Sequence, residues 1–157
     1  MKLQNDVGRS CGECTACCKP FPVPEVGKQG SDWCHHCTIG KGCNIYADRP
    51  LACRLFACAW LNGLGDEGFR PDRLGVMIDV QDVQLGERTV GILHFWEMRE
   101  GAIGQPVIRR MAETNKDAGF IVAYHRILTQ TTYATQMSMR KHLFTEEEVE
   151  MVRTQIS

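Results

Sequence analysis

No cysteine precedes residue 11 and none follows residue 58 in this chain of 157 residues. An excess of charge of either sign is lacking as well: 18 Lys and Arg stand against 19 Asp and Glu, a formal net charge of −1. The longest basic run is Arg140-Lys141-His142. The electrostatic footprint that binds a phosphate backbone is therefore missing, and no nucleic-acid partner is expected. No apolar stretch approaches the ~18 residues needed to span a bilayer, and the opening MKLQNDVGRS lacks the apolar core of a secretory signal. These absences predict a cytoplasmic protein with no membrane partner. No Ser/His/Asp order, phosphate loop or dinucleotide motif occurs, so whether the chain is an enzyme stays open.

What the sequence does hold is a concentrated set of thiols: Cys11, Cys14, Cys17, Cys18, Cys34, Cys37, Cys43, Cys53 and Cys58. In a reducing compartment an odd set of nine suits metal ligation better than a disulfide framework. Cys11/Cys14 and Cys34/Cys37 have the C-x-x-C spacing that lets a tight turn aim both sulfurs and backbone N–H groups at one ion. Thioredoxin-like redox motifs share that spacing but sit where a strand enters a helix. Nothing before Cys11 or Cys34 resembles such a strand. Nine thiols exceed one tetrahedral site and suffice for two, or for a thiolate-bridged cluster. Adjacent side chains point apart in most backbone conformations, so one of Cys17 and Cys18 is expected to bridge or to serve a second ion. All nine cysteines are candidate ligands. His35 and His36 are further candidates, although histidines in such a turn are more often only solvated.

The run Cys11-x-x-Cys14-x-x-Cys17-Cys18, with the later Cys43-Asn44-Ile45-Tyr46-x-x-Arg49-Pro50-x-x-Cys53-Arg54-x-Phe56-x-Cys58, resembles the small proteins that carry a CxxCxxCC cysteine cluster, described as zinc- or iron-chelating. The resemblance is confined to the cysteine-rich stretch. It implies metal chelation by cysteine and little about activity or substrate.

Closed thiolate shells suit zinc, and a lobe of turns without a sizeable core would owe its folding to such an ion. The leading expectation is therefore a structural or storage-type zinc site holding more than one ion, in a module open to a protein partner. An iron–sulfur redox protein or oxidoreductase is the alternative. Cys11-x-x-Cys14-x-x-Cys17 matches the first three ligands of a bacterial ferredoxin run, but the next cysteine follows at once as Cys18, and a cluster would recruit a distant ligand such as Cys53. A thiol or metal redox sensor is the third reading, prompted by the vicinal Cys17-Cys18 pair and the surplus thiols. Four thiolates leave Zn²⁺ with a formal charge of −2, which calls for nearby cations. Lys19, Lys41, Arg49 and Arg54 are at hand, and Arg54, beside Cys53, is the strongest candidate.

The expected fold is α+β: a small metal-stapled, cysteine-rich lobe of loops plus a short helix over residues 1–65, joined to a small antiparallel sheet with helices over 66–157. Prolines and glycines between Lys19 and Asp32 predict a loop that Phe21 and Trp33 can fold over the site. Asp48 and Pro50 open a helix expected from Leu51 to Leu61, carrying both Cys53 and Cys58. Glycines between Asn62 and Gly68 mark a linker. Alternation at Val76, Ile78 and Val80, the turn at Leu85–Arg88 and the apolar run from Val90 to Trp96 predict a hairpin. A helix over Pro106–Ala118 ending at Gly119, then a strand over Phe120–Leu128, complete a β-β-α-β order in which His94 and His125 read as structural. Thr145 and Glu148 form a capping box, so a last helix is expected to start near Glu146.

Overall fold

The computed structural model describes residues 8–156. Its cysteine-rich end contains little regular structure. A two-residue hairpin, β1 (Cys37–Thr38) with β2 (Gly42–Cys43), and a single turn of helix, α1 (Leu51–Leu55), are joined by loops and short 3₁₀ turns. Four residues of helix, α2 (Pro71–Leu74), lead into the hairpin β3 (Val76–Leu85) and β4 (Arg88–Glu97). Then come α3 (Pro106–Asp117), β5 (Ile121–Thr129), β6 (Thr132–Ser138) and α4 (Glu146–Ile156). The chain is α+β, with a four-stranded sheet in the order β3-β4-β5-β6 beside the small hairpin.

Two expectations change here. The main sheet is mixed, not antiparallel: β4 and β5 run parallel, with Ile92 opposite Ile121 and Trp96 opposite His125. The cause is the connection, since α3 carries the chain back across one face and so returns β5 in the direction of β4. The second change is α1, which stops at Leu55 where Phe56 turns extended (φ −78°, ψ 132°). Cys58 therefore lies beyond the helix. The ring of Phe56 leaves the helical path to meet Phe21, centroid to centroid 4.9 Å.

Strand alternation divides the apolar residues between the two faces. Val76, Ile78, Leu93, Phe95 and Val122 pack beneath Ile108 and Ala112 of α3. On the opposite face Val83, Ile92, Ile121 and Ala123 lie under Val152 of α4. The capping box that starts α4 forms as expected, with Glu148 N–H donating to Thr145 Oγ1 at 3.2 Å and Thr145 N–H to Glu148 Oε2 at 2.8 Å. Further along this second face Met77 and Trp96 meet Ala16, Cys58, Trp60 and Phe21 from the cysteine-rich end. Ala59 N–H donates to Ile78 C=O at 2.7 Å, and Phe21 sets its edge on Trp96 at 5.3 Å.

Between α4 and the cysteine-rich end, polar side chains cross that face. Gln81, His94, His125 and Thr135 form one hydrogen-bonded row, and Trp96, stacked 3.6 Å over His125, donates its indole N–H to Asp79 Oδ1 at 2.7 Å. Both histidines are satisfied structural groups, as expected. Burial pushes the Asp79 carboxyl up to about 6, against the stabilising indole bond. Its neutral form is the one the fold prefers, so this preference is fully present below pH ~4 and is lost as pH rises through about 6. Asp79→Asn keeps an oxygen for Trp96 and carries no charge. It is expected to raise stability by about 2 kcal/mol at pH 7 in urea denaturation, with the gain vanishing near pH 4.

Candidate functional site

Each C-x-x-C pair closes the tight turn its spacing predicts. Cys14 N–H donates to Cys11 C=O at 2.9 Å and Cys37 N–H to Cys34 C=O at 3.0 Å. Cys34 N–H bonds in turn to Cys18 C=O at 3.0 Å, tying the second turn to the end of the first cysteine run. The small hairpin sets Cys37 opposite Cys43. Gly42 (φ +131°) lets that hairpin lie against the first turn, because a Cβ there would come 3.3 Å from Gly12 C=O. Cys53 rides on α1 and completes the enclosure.

The outcome is a cavity of about 230 Å³ lined by Cys11, Cys14, Cys17, Cys18, Cys34, Cys43 and Cys53, with Phe21, Val23, Val26, Ile45 and Phe56 as its apolar wall. Cys58 is buried away from it, among Trp60 and Met77, and lines a neighbouring cavity of about 220 Å³ with Cys11, Cys14, Cys17 and Cys53. Cys37 lines neither but stands within hydrogen-bonding reach of Cys18 and Thr15. All nine thiols are free, and every one except Cys58 is partly exposed.

The thiols act on one another electrostatically. The sulfur of Cys17 hydrogen-bonds Cys18 and, with burial, drives the Cys18 thiol far above its ordinary range. Burial and the charge of Cys18 push Cys37 up to about 12, while burial followed by Cys18, Cys34 and Cys43 raises Cys53. Cys58 rises to about 11, chiefly through burial, with smaller contributions from Cys14 and Cys11. Cys18 is thus the centre of the main group: Cys11, Cys37 and Cys53 all respond to it. Mutual repulsion of this kind arises where anions would converge, and a bound cation is what relieves it.

The donor set has the softness that zinc, iron or copper(I) selects, and among the described residues no carboxylate lines the cavity wall. The sulfurs surround the space without closing on a point: among the described residues no three His, Cys, Asp or Glu side chains are gathered tightly enough to hold a metal ion. The fit is thus one of donor chemistry and placement.

The cations predicted from sequence are redistributed. Arg54, the strongest candidate, is exposed on α1 and lines the neighbouring cavity but not the main one, and Lys41 is exposed too. Lys19 is buried but turned toward the sheet, its ammonium 5.3 Å from the Tyr133 ring. Arg49 does reach the site: it lines both cavities, acts on Cys11, and is held by Nε donation to Tyr46 C=O at 2.9 Å and by stacking on that ring at 3.7 Å. The cation that sequence reasoning missed is Lys28, which lines the thiol cavity and is only 5% exposed. Its signal was the Gly27-Lys28 step, where a left-handed glycine (φ +67°) closes the Pro24–Val26 turn and sends the next side chain inward. His36 reaches the cavity wall and His35 is exposed, their rings 4.1 Å apart. Phe21 roofs the site as expected, whereas Trp33 stays 36% exposed. No family profile, curated protein or solved structure matches this chain.

Proposed function

We propose that the cysteine-rich end is a metal-chelating lobe that holds more than one thiophilic ion, zinc foremost, as a structural or storage site. The observation that carries this reading is the convergence of seven cysteines on one cavity of about 230 Å³. Seven thiols exceed the four ligands of one tetrahedral centre, so the set suits a thiolate-bridged group of ions better than a single ion. The scarcity of core points the same way. Among described residues before 66, the buried apolar side chains are Ala16, Val23, Cys58 and Trp60, too few to order so many loops without a staple. The resemblance to the CxxCxxCC proteins agrees with the reading.

An iron–sulfur cluster is the second reading, favoured by the apolar wall of Phe21, Val23, Ile45 and Phe56, since exclusion of water is one lever that tunes such clusters. When bound, zinc would supply cross-linking and charge neutralisation, whereas a cluster would supply electron transfer. The deciding experiment is elemental analysis with a visible spectrum on untagged protein purified without oxygen and without added metal. About two zinc ions per chain and no visible band are expected. Iron with acid-labile sulfide and a broad visible absorption would replace zinc by the redox reading. Protein without bound metal that also fails to take up added zinc or iron would end both.

A further inference from the structure

Lys28 is a buried ammonium without a carboxylate partner among the described residues. Its three N–H donors are spent on backbone: Nζ donates to Lys19 C=O at 2.9 Å, to Gln29 C=O at 2.9 Å and to Phe21 C=O. The backbone of Lys28 is fixed as firmly, exchanging hydrogen bonds with Val23 at 3.0 and 3.1 Å across the Pro24–Val26 turn. Carbonyl dipoles satisfy the donors but leave a full positive charge inside the protein, and such a charge is retained only where an opposite one compensates it. No carboxylate comes within ion-pair distance among the described residues. Burial lowers the Lys28 ammonium below its ordinary range, and the groups that oppose this are Cys34 first, then Asp32, Cys18 and Cys53. Three of these four are thiols of the cavity that Lys28 itself lines.

We infer that Lys28 is the built-in countercharge of the thiol cavity, a positioning residue whose positive charge offsets the negative charge that the cysteine ligands of the cavity bring to bound metal. The inference rests on the metal-chelating reading and deepens it. Because every N–H is committed to a carbonyl, Lys28 acts through its field and not through a hydrogen bond to sulfur. Exchange of its side chain therefore separates charge from hydrogen bonding. Gln keeps two N–H donors and loses the charge, Arg keeps the charge, and Met loses both.

The test is a competition titration of zinc between a chromophoric chelator and the full chain, in wild type and in the Lys28→Gln, Lys28→Arg and Lys28→Met variants. Circular dichroism and the zinc stoichiometry at saturation are measured on each. Zinc affinity is expected to fall about 10-fold or more in both neutral variants, in line with the 10–100-fold losses seen when outer partners of metal ligands are removed. In Lys28→Arg it is expected to stay within about threefold of wild type. Wild-type affinity in Lys28→Gln together with weakening in Lys28→Met would make the residue a hydrogen-bonding brace and overturn the proposal. Equal weakening in all three variants would overturn it as well, since charge would then be irrelevant. Wild-type protein that takes up no zinc removes the underlying reading, an outcome distinct from either.

Discussion

Cys18→Ser is expected to remove metal from the chain almost completely, whereas Cys58→Ser is expected to leave most of it bound. The contrast follows from where the two sulfurs lie. Cys18 lines the main cavity, and its sulfur is felt by Cys11, Cys37 and Cys53 as well as by Lys28. Its backbone carbonyl also receives Cys34 N–H, so the second turn is hung from it. Cys58 is packed beside Met77 and Trp60 and reaches only the neighbouring cavity. Removing an outer-shell partner of a metal site weakens binding by roughly 10–100-fold, and losing a central thiolate should exceed that, about 100-fold or more for Cys18→Ser. Elemental analysis of the purified variants and chelator competition give the two numbers. Hydrogen exchange supplies the structural side. Residues 11–58 are expected to lose protection in Cys18→Ser, and in Cys34→Ser or Cys53→Ser, while β3 to β6 keep theirs through the cores under α3 and α4. Full metal in Cys18→Ser with loss in Cys58→Ser would move the site into the neighbouring cavity.

The elements that could be read in advance were those whose signal is local. The hairpin β3–β4 rests on alternation at Val76, Ile78 and Val80. The start of α4 rests on Thr145 and Glu148, and the end of α3 on Gly119 (φ +91°). The parallel pairing of β4 with β5 was not local, because it is decided by the crossover through α3 that returns the chain to the end of the sheet where β4 began. β6 escaped notice because it is a sheet edge. Thr132, Ala134 and Gln136 face solvent, the apolar signal shrinks to Tyr133 and Met137, and the turn before it contains no glycine. α1 was overextended because Ala57, Ala59 and Leu61 have good helical preferences, which contacts of Phe56 with Phe21 and of Ala59 with Ile78 override. At the site, the two C-x-x-C turns were legible from spacing. The separation of Cys58 from the main cavity was not, since it follows from packing against β3. For Lys28 the sequence held only the Gly27-Lys28 step, because its role depends on a turn that buries it.

The buried histidine pair predicts a steep loss of stability in acid. His94 and His125 are 6% and 3% exposed. One proton arrangement satisfies the whole row with both rings neutral. His94 Nε2–H donates to Gln81 Oε1 at 3.2 Å, His125 Nε2–H to His94 Nδ1 at 2.8 Å, and Thr135 Oγ1–H to His125 Nδ1 at 2.9 Å. Desolvation lowers His94 to about 4, and desolvation together with the neighbouring His94 lowers His125 to about 3. The unfolded chain binds these protons near pH 6.5 and the folded one only well below it. Stability from the neutral pair is therefore present above about pH 6.5 and drains away as pH falls toward 4. Asp79, across the strands from His94, works in the opposite sense between about 6 and 4 and recovers part of the loss. Each histidine contributes about 1.4 kcal/mol per pH unit in its window, so the pair amounts to as much as ~5 kcal/mol between pH 6.5 and 4.5. The double variant His94→Leu/His125→Phe removes both titrating groups. It leaves only Gln81 and Thr135, both exposed, to be solvated. Urea denaturation at pH 7, 5.5 and 4.5 is expected to give a marked decline for wild type and a much flatter profile for the double variant. The difference between the two profiles should grow toward that ~5 kcal/mol as the pH falls. Parallel profiles would place the acid sensitivity elsewhere and remove the pair as its cause.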